Sequence, residues 1–165
     1  MTLRVMVVDD QALVREGLTT LLGTAADIEP VGSAANGADA IQLAGELSPD
    51  VVLMDLRMPG VDGVQATREI RAAHPDVEIV VLTTHADDES ILSALNAGAR
   101  GYLTKDAGVT EIARAVQAAA AGQSVLDPVV QARLLSAASA GGSSDESPDV
   151  SAAVSKTAET RDAPA

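Results

Sequence analysis

The sequence predicts an α/β fold in which a doubly wound, five-stranded parallel sheet has the strand order 2-1-3-4-5. Between residues 3 and 122, short runs rich in Val, Leu and Ile alternate five times with stretches that have the periodicity of amphipathic helices. Apolar runs of this length are typical of strands that a parallel sheet buries on both faces. The alternation favours right-handed crossovers, with helices on both sides of the sheet.

The composition of the strands indicates their positions. The second apolar run contains Pro30 and Gly32. Because proline cannot donate a hydrogen bond within a sheet, we expect this strand at an edge. The uninterrupted run at residues 51–54 is expected at the centre. The five predicted strands are residues 3–8, 28–34, 51–54, 77–82 and 101–104.

Glycine and proline mark the ends of the predicted helices. Gly23 and Gly98 close two of them, and His74 stops a third because a residue before proline avoids helical geometry. The predicted helices are residues 11–22, 37–47, 63–73, 89–96, 109–121 and, after the capping pair Asp127-Pro128, 129–138. Helical spacing predicts that the buried face of the first helix consists of Leu13, Val14, Leu18, Leu21 and Leu22.

One domain accounts for most of the chain. Its 165 residues suffice for a single domain of ordinary size and a tail. Residues 1–124 are predicted to form this domain, and residues 125–138 a linker helix. Residues 139–165 are rich in Gly, Ser, Ala and Pro without periodicity, which predicts a disordered tail or truncated linker and no output domain.

Charge and composition exclude several classes of function. With 24 acidic against 11 basic residues, the net charge of -13 repels polyanions, so nucleic-acid binding by this chain alone and association with an anionic membrane are disfavoured. No apolar run approaches the roughly 20 residues of a membrane helix. Cysteine is absent, which excludes disulfides and fits the cytoplasm.

Polar side chains follow four of the predicted strands at the point where each strand ends. They are Asp9-Asp10, Asp55, Thr83 and Lys105. The carboxyl ends of parallel strands meet at one edge of a sheet, where ligands gather. Carboxylates that crowd together repel one another unless a cation joins them. The pattern therefore predicts a divalent metal, with a phosphoryl group bound nearby.

The expected chemistry assigns each of these residues a role. Asp9, Asp10 and Asp55 offer the oxygen ligands that Mg²⁺ prefers. Asp55 is our choice for the nucleophile that attacks phosphorus and forms an aspartyl phosphate. Thr83 supplies a hydroxyl donor and Lys105 a cation for the phosphoryl oxygens. Taken singly, Asp10 would be a helix N-cap. A lone Asp at a strand end, such as Asp55, would be a turn residue, Thr83 a cap and Lys105 a solvated side chain.

Four segments carry a resemblance to a known family. VMVVDDQALVREGL, DVVLMDLRMPGVDG, VLTTHADD and GARGYLTKDA occur in this order, and residues 3–122 resemble the receiver domain of two-component response regulators, in the NarL/FixJ branch. The resemblance implies the flavodoxin-like receiver fold, with Asp55 as phosphoacceptor. It further implies that Mg²⁺ is held by Asp9, Asp10, Asp55 and the carbonyl of Arg57, that Thr83 and Lys105 bind the phosphoryl group, and that Thr83 and Tyr102 form the switch.

The resemblance also implies partners. Such domains receive phosphate from a histidine kinase and catalyse only their own phosphorylation and dephosphorylation. The full-length parent is expected to be a DNA-binding transcription regulator, and the sequence leaves open whether phosphorylation drives homodimer formation. Asp106 departs from the family pattern, because many receivers have proline after the lysine.

Alternatives remain at this point. The chain could be a stand-alone receiver that acts by protein contact, or an interaction module with a vestigial site. An aspartate-nucleophile phosphatase of the haloacid dehalogenase type needs a second Asp two residues after the first, where Gln11 and Ala12 stand instead. A nucleotide-binding flavodoxin-like protein is disfavoured because no glycine-rich phosphate loop follows the first strand.

Overall fold

A computed structural model describes residues 2–84 and 87–141 of the protein, with side chains as far as residue 136. The strands form a six-stranded parallel sheet of order β2-β1-β3-β4-β5-β6, which confirms the predicted order of the first five. The strands are β1 (Leu3–Val8), β2 (Ile28–Ala34), β3 (Val51–Met54), β4 (Glu78–Thr83), β5 (Gly101–Thr104) and β6 (Val125–Leu126). The helices are α1 (Ala12–Gly23), α2 (Gly37–Leu47), α3 (Gly63–Ala73), α4 (Asp88–Asn96), α5 (Val109–Ala120) and α6 (Pro128–Gly141).

Strand β2 lies at the edge that Pro30 predicts. Its pairing with β1 shifts by one residue: Val5 lies opposite Pro30, whereas Met6 lies opposite Gly32. One residue of β2 is thus unpaired at the proline, a bulge of the kind that edge strands tolerate. The rest of β1 continues in register with β3, so that Val8 lies opposite Met54.

Strand β6 was not predicted. It has two residues, which pair in parallel with Gly101 and Tyr102 of β5. A run of two residues is too short to show a periodicity in the sequence. The strand is fixed by its hydrogen bonds to β5 rather than by a local sequence pattern. The sheet consequently extends one strand beyond the predicted edge.

Two hydrophobic layers cover the sheet, because successive strand residues point to opposite faces. Val5 and Val7 pack with the buried residues of α5, whereas Met6 and Val8 pack with those of α2 and α3. A third cluster, around Tyr102, lies where α4 and α6 meet the β5 end of the sheet. This aliphatic core fixes the strand ends, which carry the polar residues.

The predicted buried face of α1 was partly wrong. Leu22 is buried and Val14 and Leu18 are half-buried, but Leu13 is 82% and Leu21 49% exposed. Leu13, Gly17 and Leu21 lie on one stripe at intervals of four residues, and a Cβ atom added at Gly17 would meet nothing within 4 Å. This stripe points away from the strands. The face of α1 that contacts the sheet is therefore narrower than the apolar face that helical spacing predicts.

The last helix, for which the sequence predicts residues 129–138, is longer than expected. Helix α6 runs to Gly141, so the first three residues of the predicted tail belong to it, and residues 142–165 lie outside the described part of the chain. Among the described residues, no helix combines the length and apolarity that crossing a membrane requires.

Replacing Asp62 with alanine tests the cap of α3, the helix that follows the loop after β3. Oδ1 of Asp62 accepts a hydrogen bond from Gln65 N at 2.9 Å. We expect Asp62→Ala to lower the free energy of unfolding by about 1 kcal/mol, as measured by urea denaturation. Asp62→Asn keeps an acceptor oxygen and is expected to cost only a few tenths of that amount. Equal losses in both variants would mean that the negative charge matters rather than the cap.

Candidate functional site

The carboxyl ends of β1, β3, β4 and β5 lie side by side at one edge of the sheet. Asp9 and Asp55 follow paired strands, and Asp55 N donates to Val8 O at 3.0 Å, which sets the two residues next to each other. Carboxylate oxygens of Asp9, Asp10 and Asp55 all lie within 4.8 Å of one another. The structure therefore brings together the three acids that the sequence pattern singled out.

Asp9 is buried and held on several sides. Its Oδ2 is 2.5 Å from Nζ of Lys105, and its Oδ1 accepts a hydrogen bond from Gln11 N at 2.9 Å. The Asp9 carbonyl accepts from the Arg15 guanidinium at 2.7 Å. Asp10 is exposed and does not cap α1, whose N-cap position is Gln11. The side chain of Asp10 is thus available to the cluster.

Asp55 is 7% exposed, and its Oδ1 lies 3.8 Å from Nζ of Lys105. The pKa of Asp55 is raised from 3.8 to about 6, chiefly by burial, and the negative charges of Asp9 and Asp10 contribute in the same direction. The Lys105 ammonium and the backbone N–H of Leu56 act in the opposite direction and lower this pKa. The single positive charge of Lys105 therefore does not offset the negative charges of three carboxylates. The local negative charge that remains favours the binding of an additional cation.

The donor set indicates the kind of cation. Three carboxylates supply only oxygen, and histidine and cysteine are absent from the group. Hard divalent cations such as Mg²⁺ and Ca²⁺ take such ligands, whereas zinc sites are usually built with nitrogen or sulfur. The residues present therefore fit a hard divalent metal ion.

Thr83 and Lys105 end the two neighbouring strands. Thr83 is the buried last residue of β4, and its carbonyl accepts a hydrogen bond from Lys105 N at 2.9 Å. This bond holds the hydroxyl-bearing strand against the residue that carries the ammonium. The peptide bond between Lys105 and Asp106 is trans.

Tyr102, the only aromatic residue of the protein, is completely buried beside this edge. Burial raises the pKa of its phenol, the negative charge of Asp87 raises it further, and Arg57 lowers it. The guanidinium Nη2 of Arg57 is 3.0 Å from Oδ2 of Asp87. An ion pair thus joins the loop after the Asp55 strand to the start of α4, close to Tyr102.

Sequence reasoning missed Asp87. It is the N-cap of α4, where its carboxylate accepts hydrogen bonds from N and Oγ of Ser90 at 2.9 and 3.1 Å. These bonds, together with the charge of Arg57, lower the pKa of Asp87. The signal that could have found this residue is an Asp three positions before a Ser at the start of a helical pattern. Its pairing with Arg57 has no sequence signal.

Comparison with known proteins identifies the family. The family model of the response regulator receiver domain matches residues 5–117, which is more than half of the chain. The chain belongs to the response regulator receiver domain family. Members of this family accept a phosphoryl group. The resemblance seen in the four sequence segments is thereby confirmed.

The receiver domain has relatives among transcription regulators. The chain is 42% identical over 132 residues to response regulator GacA of Pseudomonas aeruginosa, covering 80% of this chain and 62% of GacA. It is 43% identical over 134 residues to transcriptional regulatory protein LiaR of Bacillus subtilis, covering 81% of this chain and 64% of LiaR. The chain thus spans less than two thirds of the length of these curated relatives.

Solved receiver structures agree with the fold. The signal receiver domain of NarL from Mycobacterium tuberculosis is 38% identical with a TM-score of 0.71, covering 74% of this chain and 98% of that one. A LuxR-family two-component response regulator from Aurantimonas sp. SI85-9A1 is 37% identical with a TM-score of 0.77, covering 81% and 95%. These relatives support the NarL/FixJ branch.

Proposed function

We propose that Asp55 accepts a phosphoryl group from a phosphohistidine of a histidine kinase. The observation that carries this proposal is the position of the buried Asp55 carboxylate, within 4.8 Å of two further carboxylates and 3.8 Å from the Lys105 ammonium. A carboxylate that is partly desolvated, close to a cation and open to a metal ion suits nucleophilic attack on phosphorus.

The transfer is a displacement at phosphorus. A bond forms between a carboxylate oxygen of Asp55 and phosphorus while the bond from phosphorus to the histidine nitrogen breaks, and the electron pair leaves with the imidazole. Lys105 pairs with the phosphoryl oxygens, and the hydroxyl of Thr83 donates to them. Asp9, Asp10, Asp55 and the Arg57 carbonyl are the proposed ligands of Mg²⁺, which would neutralise charge on the oxygens when bound.

The rest of the proposal concerns the whole protein. Relatives named as transcriptional regulators are longer than this chain, so we infer that residues 1–124 are the receiver and residues 125–138 the linker of a cytoplasmic DNA-binding regulator. Thr83 and Tyr102 transmit the phosphorylated state, which controls assembly into homodimers. The receiver itself has no turnover on other substrates; it catalyses only its own phosphorylation and dephosphorylation.

Labelling with a small acyl phosphate tests the proposed acceptor. With acetyl phosphate and Mg²⁺, we expect the wild type to gain one acid-labile phosphoryl group, as detected by mass spectrometry of the intact protein. Asp55→Asn should gain none, because an amide is not a nucleophile for phosphorus. The control Asp76→Asn changes an exposed acid that precedes β4, at the end of the sheet where the strands begin. This variant should label like the wild type.

Chelation completes the experiment. Excess EDTA should abolish labelling of the wild type, because the crowded carboxylates then lack the cation that offsets their charge. Undiminished labelling of Asp55→Asn would refute the acceptor assignment. Continuous release of inorganic phosphate from a small phosphate ester, without a stable phosphoprotein, would instead support a phosphatase.

A further inference from the structure

Arg15 contacts the backbone between two of the clustered acids. Its Nη1 donates a hydrogen bond to the carbonyl of Asp9 at 2.7 Å. Arg15 belongs to the first turns of α1, where its backbone N donates to Gln11 O at 3.0 Å. The Asp9 carbonyl is part of the peptide unit that joins Asp9 to Asp10. A side chain of α1 therefore fixes the orientation of this peptide unit.

Arg15 bonds to this carbonyl although carboxylates lie in the same groove. The side chain lines a groove of about 380 Å³ together with Asp39 and Glu46 of α2. In the described part of the chain, however, no carboxylate is in ion-pair contact with the Arg15 guanidinium. A guanidinium ordinarily forms its stronger hydrogen bonds with carboxylates. Arg15 instead contacts the uncharged Asp9 carbonyl, so its effect falls on the backbone next to the clustered acids.

Helix α1 begins without the cap that the sequence offers. Its N-cap position is Gln11, which has an extended backbone with φ -93° and ψ 115°, and no side chain caps the helix. If Gln11 adopted helical dihedrals, α1 would begin one residue earlier, and Asp10 would become an N-cap residue of the preferred type. The Asp10 carboxylate would then accept hydrogen bonds from backbone N–H groups of α1. Asp10 therefore has two alternative positions, one in the cluster and one on the helix.

Electrostatics favours the position on the helix when no cation is bound. Asp9 and Asp55 are buried, whereas Asp10 is exposed and has space to turn away from them. The three carboxylates repel one another, and the N-terminus of a helix attracts negative charge. Two contacts of Asp9 hold the chain in the observed path: Gln11 N donates to its Oδ1 at 2.9 Å, and Arg15 donates to its carbonyl. Only the second contact depends on a side chain outside the cluster.

We infer that Arg15 is a positioning residue for the proposed metal site. By holding the Asp9 carbonyl, it keeps α1 from starting one residue earlier and so keeps the Asp10 carboxylate among the metal ligands. This inference rests on the proposed function, because it takes Asp9, Asp10 and Asp55 as ligands of a divalent cation. Residues that orient metal ligands without touching the metal commonly change metal affinity by about 10- to 100-fold.

Binding of Mn²⁺ measures the effect of Arg15 without any phosphoryl transfer. Mn²⁺ prefers the same oxygen ligands as Mg²⁺, and loss of the electron paramagnetic resonance signal of the free ion reports its binding. Arg15→Met keeps the helix propensity of the side chain but removes its donors. We expect the full chain with this substitution to bind Mn²⁺ about tenfold more weakly than the wild type. Arg15→Lys keeps a donor and should bind Mn²⁺ more tightly than Arg15→Met.

The sign of the change separates positioning from charge. Removing a cation near three carboxylates would by itself strengthen the binding of a divalent cation, whereas loss of positioning weakens it. The control Arg68→Met removes an exposed arginine of α3 and should bind Mn²⁺ like the wild type. Circular dichroism on the same samples establishes that each variant is folded. If Arg15→Met does not fold, Arg15→Gln, whose side chain is shorter, takes its place.

Asp10→Ala in two backgrounds tests whether Arg15 acts through Asp10. In the wild type this substitution should weaken Mn²⁺ binding by about tenfold or more, because it removes a ligand. In Arg15→Met it should have little further effect, since Asp10 has already left the cluster. Without metal, Asp10→Ala should lower the thermal midpoint only in the Arg15→Met background, by about 3 °C, because only there does Asp10 cap α1.

Two outcomes overturn the inference, and both differ from failure of the proposed function. If Arg15→Met binds Mn²⁺ as tightly as the wild type or more tightly, Arg15 does not position a ligand. If Asp10→Ala weakens binding by the same factor in both backgrounds, Arg15 does not act through Asp10. Failure of the wild type to bind Mn²⁺ refutes the proposed metal site instead, and it is recognised before any substitution is made.

Discussion

In the absence of divalent metal at pH 7.5, Asp55→Asn is expected to be more stable than the wild type by about 2 to 3 kcal/mol. The wild-type carboxylate must ionise in a buried place beside Asp9 and Asp10, which raises its pKa from 3.8 to about 6. A difference of about two pKa units between the folded and unfolded states corresponds to about 3 kcal/mol. The neutral amide does not carry this cost.

The pH dependence gives the sign of this effect. Between about pH 4 and pH 6 the folded wild type holds a proton on Asp55 that the unfolded chain has already released. Its free energy of unfolding therefore falls as the pH rises through this window and then levels off. Below the unfolded pKa of 3.8, Asp55 is protonated in both states, so the advantage of Asp55→Asn should disappear.

Urea denaturation of both proteins between pH 3.5 and 7.5 measures the difference. Asp76→Asn makes the same chemical change at an exposed position and should stay within about 0.5 kcal/mol of the wild type throughout. Mg²⁺ should narrow the gap at pH 7.5, because a ligand that binds the folded wild type stabilises it by mass action. A wild type that is more stable than Asp55→Asn without metal would contradict the electrostatic account.

Local sequence patterns were sufficient to predict most of the fold. Uninterrupted apolar runs located β1, β3, β4 and β5 within one residue at each end, and Pro30 identified the edge strand. These features are local, since a buried parallel strand must be apolar throughout and a proline must avoid the interior of a sheet. The order of the first five strands followed from the same constraints.

Features that depend on tertiary contact were not predictable. Helical spacing could not distinguish the covered strip of α1 from the stripe of Leu13 and Leu21, because both are apolar. Strand β6 exists only through its pairing with β5. The composition of α6 gives no indication of its position, since apolar residues occur on its buried and its exposed sides.

The candidate site divides in the same way. Its members could be found because each follows a strand, and parallel strands end at a common edge. Its pairings could not: the sequence does not indicate that Lys105 lies closer to Asp9 than to Asp55, or that Arg57 reaches Asp87. Such contacts depend on side-chain conformations and loop paths, which residue type and spacing do not determine.

Among substitutions that add a single methyl group near the site, Gly63→Ala is expected to lower the stability of the protein most. A Cβ atom at this position would lie 2.1 Å from the carbonyl oxygen of Asp55 and 2.7 Å from the Cα atom of Leu56. Both neighbours are backbone atoms, so no side-chain rotation relieves the clash, and the loop after β3 must move. We expect a loss of about 3 kcal/mol in the free energy of unfolding, measured by urea denaturation.

Gly17→Ala provides the matched control. Gly17 lies inside α1, and an added Cβ atom there would meet nothing within 4 Å. The same methyl group should therefore stabilise the protein by about 0.5 to 1 kcal/mol, because alanine loses less conformational entropy than glycine in a helix. Comparable effects at both positions would show that the close approach of α3 to the Asp55 backbone does not constrain residue 63.

The same substitution should also affect the chemistry, because the displaced carbonyl belongs to the proposed phosphoacceptor. Under conditions in which Gly63→Ala remains folded, its rate of labelling by acetyl phosphate should fall, whereas Gly17→Ala should label like the wild type. A folded Gly63→Ala protein that labels at the wild-type rate would mean that the Asp55 carboxylate keeps its position while its backbone moves. Since loss of positioning slows a reaction even when every reacting group is present, the rate reports on the loop geometry independently of stability.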